Sequence, residues 1–537
     1  CDSRLNTTLA RFFFNCFIMG MVTLAACKIA NILFGMPAWQ TIVICGVLNV
    51  VFAAHSGLWG VLIIDMIQFF IKMTAVFAAA WFSLVEVGER LVGKGAGGWA
   101  GHKALVEKLS TQQVVIPKVQ KMVDGVAQVK DGVPVMVDGQ PVMSLINGTG
   151  QPFLDMLPNF TMSELALMIF ILPIAIGWWA NWYPGAEPGG GSYIAQRMLA
   201  SKSEKDSLGG TLFFNIAHYV LRPWPWIITA LCSIIVYPDL ASIKSAFPAA
   251  DVALIGHDSA FPAMLKFLPV GFVGLMVGGL IAANSSTILT HLNWGSSYLV
   301  HDFYRRFINK DATEGHYINV GRLSTVVLYV FAAVLSLFMT SAQQAFEVLL
   351  SIGAGTGLIY IARWFWWRVS AWCEIVAMLM SLVTSLAVPL LMPDTGFATR
   401  TIVQVTITTL AWLITAYVGP ETDRATLISF YRKVKPVGPG WTDIRAEAGV
   451  TDAEVAQENR IGSALLGWIS GCVGIWSSLF AIGNFLYSSG DPTRLKMAWI
   501  LTAVFAVSGY VLLKVTQQLW ADSTASQARE DERLKQG

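Results

Sequence analysis

Apolar residues run along this chain in blocks of roughly twenty, separated by short polar connections. At about 1.5 Å of rise per residue, a helical block of that length crosses the ~30 Å hydrocarbon core of a bilayer, where each backbone N–H and C=O must be bonded internally. The pattern predicts membrane helices at about 11–34, 40–54, 60–86, 163–182, 209–236, 264–300, 317–340, 345–366, 370–392, 401–418, 462–486 and 496–519. The largest interruption, 88–161, contains VAQVKDGVPVMVDGQPV. Its Asp-Gly pairs at 131–132 and 138–139, set between alternating apolar residues, predict either a small β-hairpin or an irregular lid. Asn147 and Asn159 stand in sequons, which matter only in a host that glycosylates.

Composition turns this pattern into a class. The chain is 55% hydrophobic and 13% charged with a mean hydropathy of +0.58, whereas a soluble chain is about 25% charged. The expected fold class is all-α: one polytopic membrane bundle of about twelve spans, 1–537, with the lipid bilayer as a partner and no nucleic acid. A net charge of +2 says little, but its distribution says more. Basic residues gather in alternate connections: Arg197, Lys202 and Lys205; Arg305, Arg306 and Lys310; Arg363 and Arg368; Arg424, Arg432, Lys433 and Lys435; and Arg529, Arg533 and Lys535. The positive-inside rule then puts both termini and the 419–461 loop in the cytoplasm and 88–161 outside, in a multi-pass protein of the plasma membrane. The seven cysteines follow no metal or disulfide spacing and read as small core residues. The chain begins at Cys1, so either it is processed or its beginning is missing.

Candidate chemistry lies where polar groups interrupt the apolar blocks, since such groups are costly in lipid. In GLIAANSSTILTHLNWGSSYLVHDFYRRF, residues 279–307, Ser286, Thr287, Thr290, Asn293 and Ser297 recur at helical spacing and build a continuous stripe. A single hydroxyl would bond the carbonyl one turn back. A stripe of neutral oxygens suits a hard monovalent cation held weakly enough to leave. In IAIGWWANWYPGAEPGGGSYIAQRM, residues 174–198, Pro184, Pro188 and Gly189 to Gly191 end a regular helix. The break either lines a cavity or is an ordinary cytoplasmic turn. Asn215, His218 and Arg222 fall at i, i+3 and i+7, with Arg222 about 20 Å of helix rise beyond Gly209. Arg222 either pairs with an acid such as Glu187 or Glu347, or meets an anionic group of a solute. Asp65 is an acid inside a span, open to roles as cation ligand, proton carrier or salt-bridge partner.

Four motifs resemble the sodium/solute symporter family, whose members include sodium-coupled sugar, proline and sialic acid transporters. AANSSTILTHLNWGSSYLVHDFYRRF is similar to the eighth core helix, SYIAQRMLASKSEKDS to the signature after the sixth, AAHSGLWGVLIIDMIQFF to the fourth-to-fifth junction, and GAGTGLIYIARWFWWRVSAW to the tenth helix and its exit. They occur in family order. The resemblance implies an inverted repeat of five plus five helices, in a chain that starts at the third. It also implies a sodium ion held by the Ala283 carbonyl and the Ser286 and Thr287 hydroxyls. A second cation would use Asp65 and Thr290, with Leu289 standing where a hydroxyl is expected. The solute region falls on Asn181, Trp182 and Tyr183. His218 and Phe346 replace a lysine and a glutamine of sugar-transporting relatives, which argues against copying sugar specificity.

The expected function is sodium-coupled symport of a small polar organic solute, a sugar, amino acid or carboxylate-bearing compound, by alternating access. It is not an enzyme: the seven histidines show no ligand or catalytic spacing. The competing readings are an inactive or partial fragment of such a transporter, kept open by the helices that precede the third, and a transporter-like sensor. Few polar residues follow the final span, too few for a signalling domain.

Overall fold

The computed structural model describes residues 3–53, 58–115, pieces between 119 and 157, 167–177, 198–339, 342–393, 395–436, 438–451, 455 and 461–536. The first helices are α1 (Ser3–Phe34), α2 (Ala38–Ala53), α3 (Leu58–Leu91) and α4 (Gly98–Ser110). Seven short strands follow: β1 (Gln113–Val115), β2 (Val119–Val123), β3 (Val126–Val129), β4 (Met136–Val137), β5 (Gln140–Pro141), β6 (Ser144–Ile146) and β7 (Gln151–Pro152). All pair antiparallel, as β6-β1-β7, β2-β3 and β4-β5. After π-helical turns at Leu167–Ile171 and Pro173–Gly177 come α5 (Glu204–Asn215), α6 (Pro223–Val236), α7 (Leu240–Ala246), α8 (Ala260–Met264) and α9 (Val270–Ser297). The chain continues through α10 (Glu314–Phe338), α11 (Ala342–Phe365), α12 (Ala371–Leu391), α13 (Phe397–Val418), α14 (Arg424–Val434), α15 (Thr442–Ala448), α16 (Ile461–Leu486) and α17 (Pro492–Gln536).

Among the described residues, nine helices are long and apolar enough to cross a membrane. The expected block at 264–300 is divided. Leu268 takes an extended ψ of 140°, as the residue before a proline must, so α9 begins only after Pro269. At its far end the helix does not stop near 300 but runs on as a π-helix, Tyr298–Ile308. Side chains such as Leu390, 82% exposed, face outward as a helix surrounded by lipid requires. Cys16, Cys27, Cys232 and Cys373 are buried and unpaired, as small core residues; Cys472 is exposed.

The chain forms two compact units. In the larger, made of Cys1–Ala80, Ala175–Phe214 and Pro225–Leu465, α9 lies among α1, α2 and α10. Cys16, Met19, Ile288, Leu289, Leu292, Leu328, Tyr329 and Ala332 form its central apolar cluster. Small residues let these helices close up, which is how membrane helices gain dispersion contact without a hydrophobic drive. A Cβ at Gly295 would lie 2.9 Å from the Leu328 side chain, and one at Gly46 would overlap the Tyr329 ring. Tyr329 also donates its hydroxyl proton to the Ile42 carbonyl at 2.8 Å.

A further small core sits past α13. Asp423 caps α14 by accepting from the Thr426 N–H at 3.0 Å, and Leu427, Tyr431, Trp441, Ile444 and Ala448 are buried together. This segment is fastened to the exit of α11, where Trp366 bridges Gly440 and the Trp367 N–H donates to the Gly440 carbonyl at 3.3 Å. The Trp367 ring is flanked by the guanidinium carbons of Arg424 at 4.6 Å and Arg368 at 5.4 Å. In the smaller unit, of Trp81–Ile174, Asn215–Trp224 and Leu466–Gly537, α4 lies against the last turns of α3 at Gly88 and Gly101, and Arg494 grips Asp155 at 2.9 Å.

Candidate cation and solute site

The hydroxyl stripe lies along the middle of α9. Ala283, Ser286 and Thr287 are partly buried, and Thr290 is buried. Each threonine hydroxyl is tied one turn back: Thr287 Oγ1 donates to the Ala283 carbonyl at 3.2 Å, and Thr290 Oγ1 to the Ser286 carbonyl at 2.9 Å. This is the local bonding that a helical threonine finds for itself. A donating hydroxyl keeps two lone pairs, whereas the Ala283 carbonyl already accepts both the helical Thr287 N–H and the Thr287 hydroxyl, so the coordinating capacity here lies on the hydroxyl oxygens. The oxygens of Ala283 and Thr287 are therefore adjacent, and the carbonyl is open to a cation once the Thr287 hydroxyl turns away from it.

The neighbouring face of α9 is buried and holds residues that the sequence reading passed over. Asn284 donates through Nδ2 to the Val22 carbonyl at 3.3 Å and accepts from Asn49 Nδ2 at 3.3 Å. His291 Nδ1 donates to Asn15 Oδ1 at 2.6 Å. Asn15, Asn49, Asn284 and His291 are each no more than 8% exposed. The signal available in the sequence was the spacing of seven between Asn284 and His291, which keeps both on one face.

Leu289 is buried in the apolar cluster with Met19 and Leu328 and contributes no oxygen. Asp65 lies in α3, two turns before Lys72, whose backbone passes 3.5 Å from a Cβ placed at Gly279 of α9. The side chains of Asp65, Phe346 and Glu347 lie outside the described residues, as do Asn181, Trp182, Tyr183, Glu187, Asn147 and Asn159.

The expected face of Asn215, His218 and Arg222 needs correction. Ile216–Leu221 is π-helical, and the Arg222 N–H donates to the Ala217 carbonyl at 3.0 Å, five residues back. The wider turn breaks the 3.6-residue register on which the i, i+3, i+7 face depended. Arg222 and His218 stay together as expected, Arg222 Nη2 donating to His218 Nε2 at 3.3 Å, and the Arg222 side chain is exposed. No group of three or more His, Cys, Asp or Glu side chains that could hold a metal occurs among the described residues.

The family model for the sodium:solute symporter family matches residues 4–380, well over half the chain. The chain belongs to that family. Members of the sodium:solute symporter family are transporters and not enzymes. Among relatives, the sodium/glucose cotransporter of Vibrio parahaemolyticus is 24% identical over 406 residues, covering 73% of this chain and 66% of its own length. The osmoregulated proline transporter of Bacillus subtilis is 28% identical over 115 residues, 21% of this chain and 23% of its own. The sodium/myo-inositol cotransporter 2 of Oryctolagus cuniculus is 27% identical over 190 residues, 33% of this chain and 27% of its own. The chain thus spans less than two thirds of the length of these relatives. A solved structure of a Na+-coupled sialic acid symporter, substrate-bound and outward-open, superposes with a TM-score of 0.52 at 16% identity over 78% of this chain and 75% of that one. The shared fold is that of a multi-pass helical transporter.

Proposed function

We propose that this protein is a secondary active transporter of the plasma membrane that couples inward sodium movement to uptake of a small polar organic solute. The coupling ion is held at α9 by the Ala283 carbonyl and the Ser286 and Thr287 hydroxyls, and the solute passes by alternating access. The observation that carries this reading is the pairing of Thr287 Oγ1 with the Ala283 carbonyl at 3.2 Å, which gathers two neutral oxygens in the partly buried stripe. Neutral ligands favour a monovalent ion and let it leave, as a transport cycle requires. Asp65 and Thr290 are the candidates for a second cation, and Asn181, Trp182, Tyr183, His218 and Arg222 for the solute. The exposed guanidinium of Arg222, joined to His218, favours a solute that carries a carboxylate. Both termini lie in the cytoplasm on this reading.

The test is Ser286→Ala with Thr287→Ala in the full-length protein, read by 22Na+ binding to purified protein and by sodium-dependent uptake across a solute panel. Loss of both is expected. Sodium binding equal to that of the parent overturns the site.

A further inference from the structure

The hydroxyl stripe is useful to an ion only if α9 is rotated correctly about its axis. We infer that Asn284 and His291, through their hydrogen bonds to α1 and α2, are positioning residues that set that rotation for Ala283, Ser286 and Thr287. This inference rests on the sodium reading of the stripe.

The apolar contacts of α9 do not fix the rotation by themselves. Ile288 and Leu292 meet Met19 and Leu328 through dispersion contacts, which have little directionality. A turn of about 20° moves a hydroxyl oxygen, roughly 4.5 Å off the axis, by about 1.5 Å, whereas a coordinating group must be held within about 0.5 Å. Hydrogen bonds are directional, and inside a bilayer an amide or imidazole that loses its partner has no water to replace it. Asn284 is bonded to both α1 and α2, at Val22 and Asn49, and two turns further on His291 is bonded to Asn15 of α1. Two fixed points seven residues apart on one face define both the height and the rotation of the segment between them. That segment contains Ser286 and Thr287, and Ala283 is the residue before it. An amide oxygen only accepts, so Nδ1 is the nitrogen that carries a proton toward Asn15.

The experiment measures 22Na+ binding to the purified full-length protein, using sodium alone as the probe. The variants are Asn284→Leu, His291→Leu, His291→Gln and the exchanged pair Asn15→His with His291→Asn, with Ser286→Ala/Thr287→Ala run beside them. The two leucine variants are expected to raise the sodium half-saturation about tenfold while capacity at saturating sodium is kept. His291→Gln and the exchanged pair, which restore a donor and an acceptor, are expected within about threefold of the parent. Asn15→Leu, which removes the acceptor and keeps the imidazole, carries the same expectation as His291→Leu and replaces it where that variant does not fold. Leucine variants within twofold of the parent, alongside a serine/threonine variant that has lost sodium, overturn the positioning role and leave the site standing. Equal loss in His291→Leu and His291→Gln also overturns it, since packing and not bonding would then be the cause. An unaffected serine/threonine variant overturns the site and the positioning role with it.

Discussion

Lys28 of α1 and Asp258, 230 residues away, form a charge pair in which Nζ is 2.9 Å from both carboxylate oxygens. The lysine side chain is 5% exposed and lies in the apolar stretch Asn15–Phe34, while the aspartate is 30% exposed in the turn before α8. Three residues along α1, Asn31 Oδ1 accepts from the Asp251 N–H at 3.0 Å, so the same end of the helix holds this connection twice. Asp258→Asn takes the carboxylate away from a buried lysine and is expected to destabilise by about 3 kcal/mol. Lys28→Met with Asp258→Leu removes both charges and is expected to cost less than the single change, as measured by thermal melts in detergent.

Gly440 approaches α11 so closely that an added Cβ would lie 2.5 Å from the Phe365 carbonyl oxygen and 2.9 Å from Trp366 Cα. Gly440→Ala is therefore expected to cost about 1–3 kcal/mol of the docking of 419–450, the range seen for overpacking. Limited proteolysis between 419 and 450 reads it, and a cleavage rate equal to the parent's would refute the close approach.

His102 of α4 is partly buried, with Nε2 enclosed and without a hydrogen-bond partner among the described residues. Burial pulls its pKa below the ordinary 6.5. Above pH 6.5 the ring is neutral whether α4 is docked or not, so stability is fully present. As the pH falls below 6.5 the undocked segment takes up a proton first, and docking weakens until the lowered value is passed. Hydrogen exchange of 98–110 should quicken from pH 7.5 to pH 5.5, after correction for intrinsic rates, and His102→Phe should abolish that difference.

Leu289 lies within the apolar cluster, so the proposed second cation would have only Asp65 and Thr290 of the three positions that the resemblance implies. A Hill coefficient for sodium near one, unchanged in Thr290→Val, is the expected result. A coefficient near two that drops in Asp65→Asn would establish the second ion.

The helices were legible because lipid forces long apolar runs, and the hydroxyl stripe because its spacing is helical. Other features depend on what spacing does not record. Pro269 divides a block that hydropathy reads as continuous, by constraining Leu268. The π-helical turn at 216–221 arises from bonds reaching five residues back and breaks the register that would carry Asn215 onto the face shared by His218 and Arg222. Asn284 and His291 are inconspicuous in an apolar run, because the partners that give them meaning, Val22 and Asn15, lie 262 and 276 residues away.

The junction of Gly440 with Trp366 joins backbone to backbone, and this changes what evolution can leave behind there. Residues 438–440 are Gly-Pro-Gly and carry little side chain that could vary in step with 365–367, whereas Trp367 answers to Arg424 instead. Coupled variation between 365–367 and 438–440 should therefore be faint even while the contact persists, and its trace in relatives should be the retention of two glycines, 438 and 440.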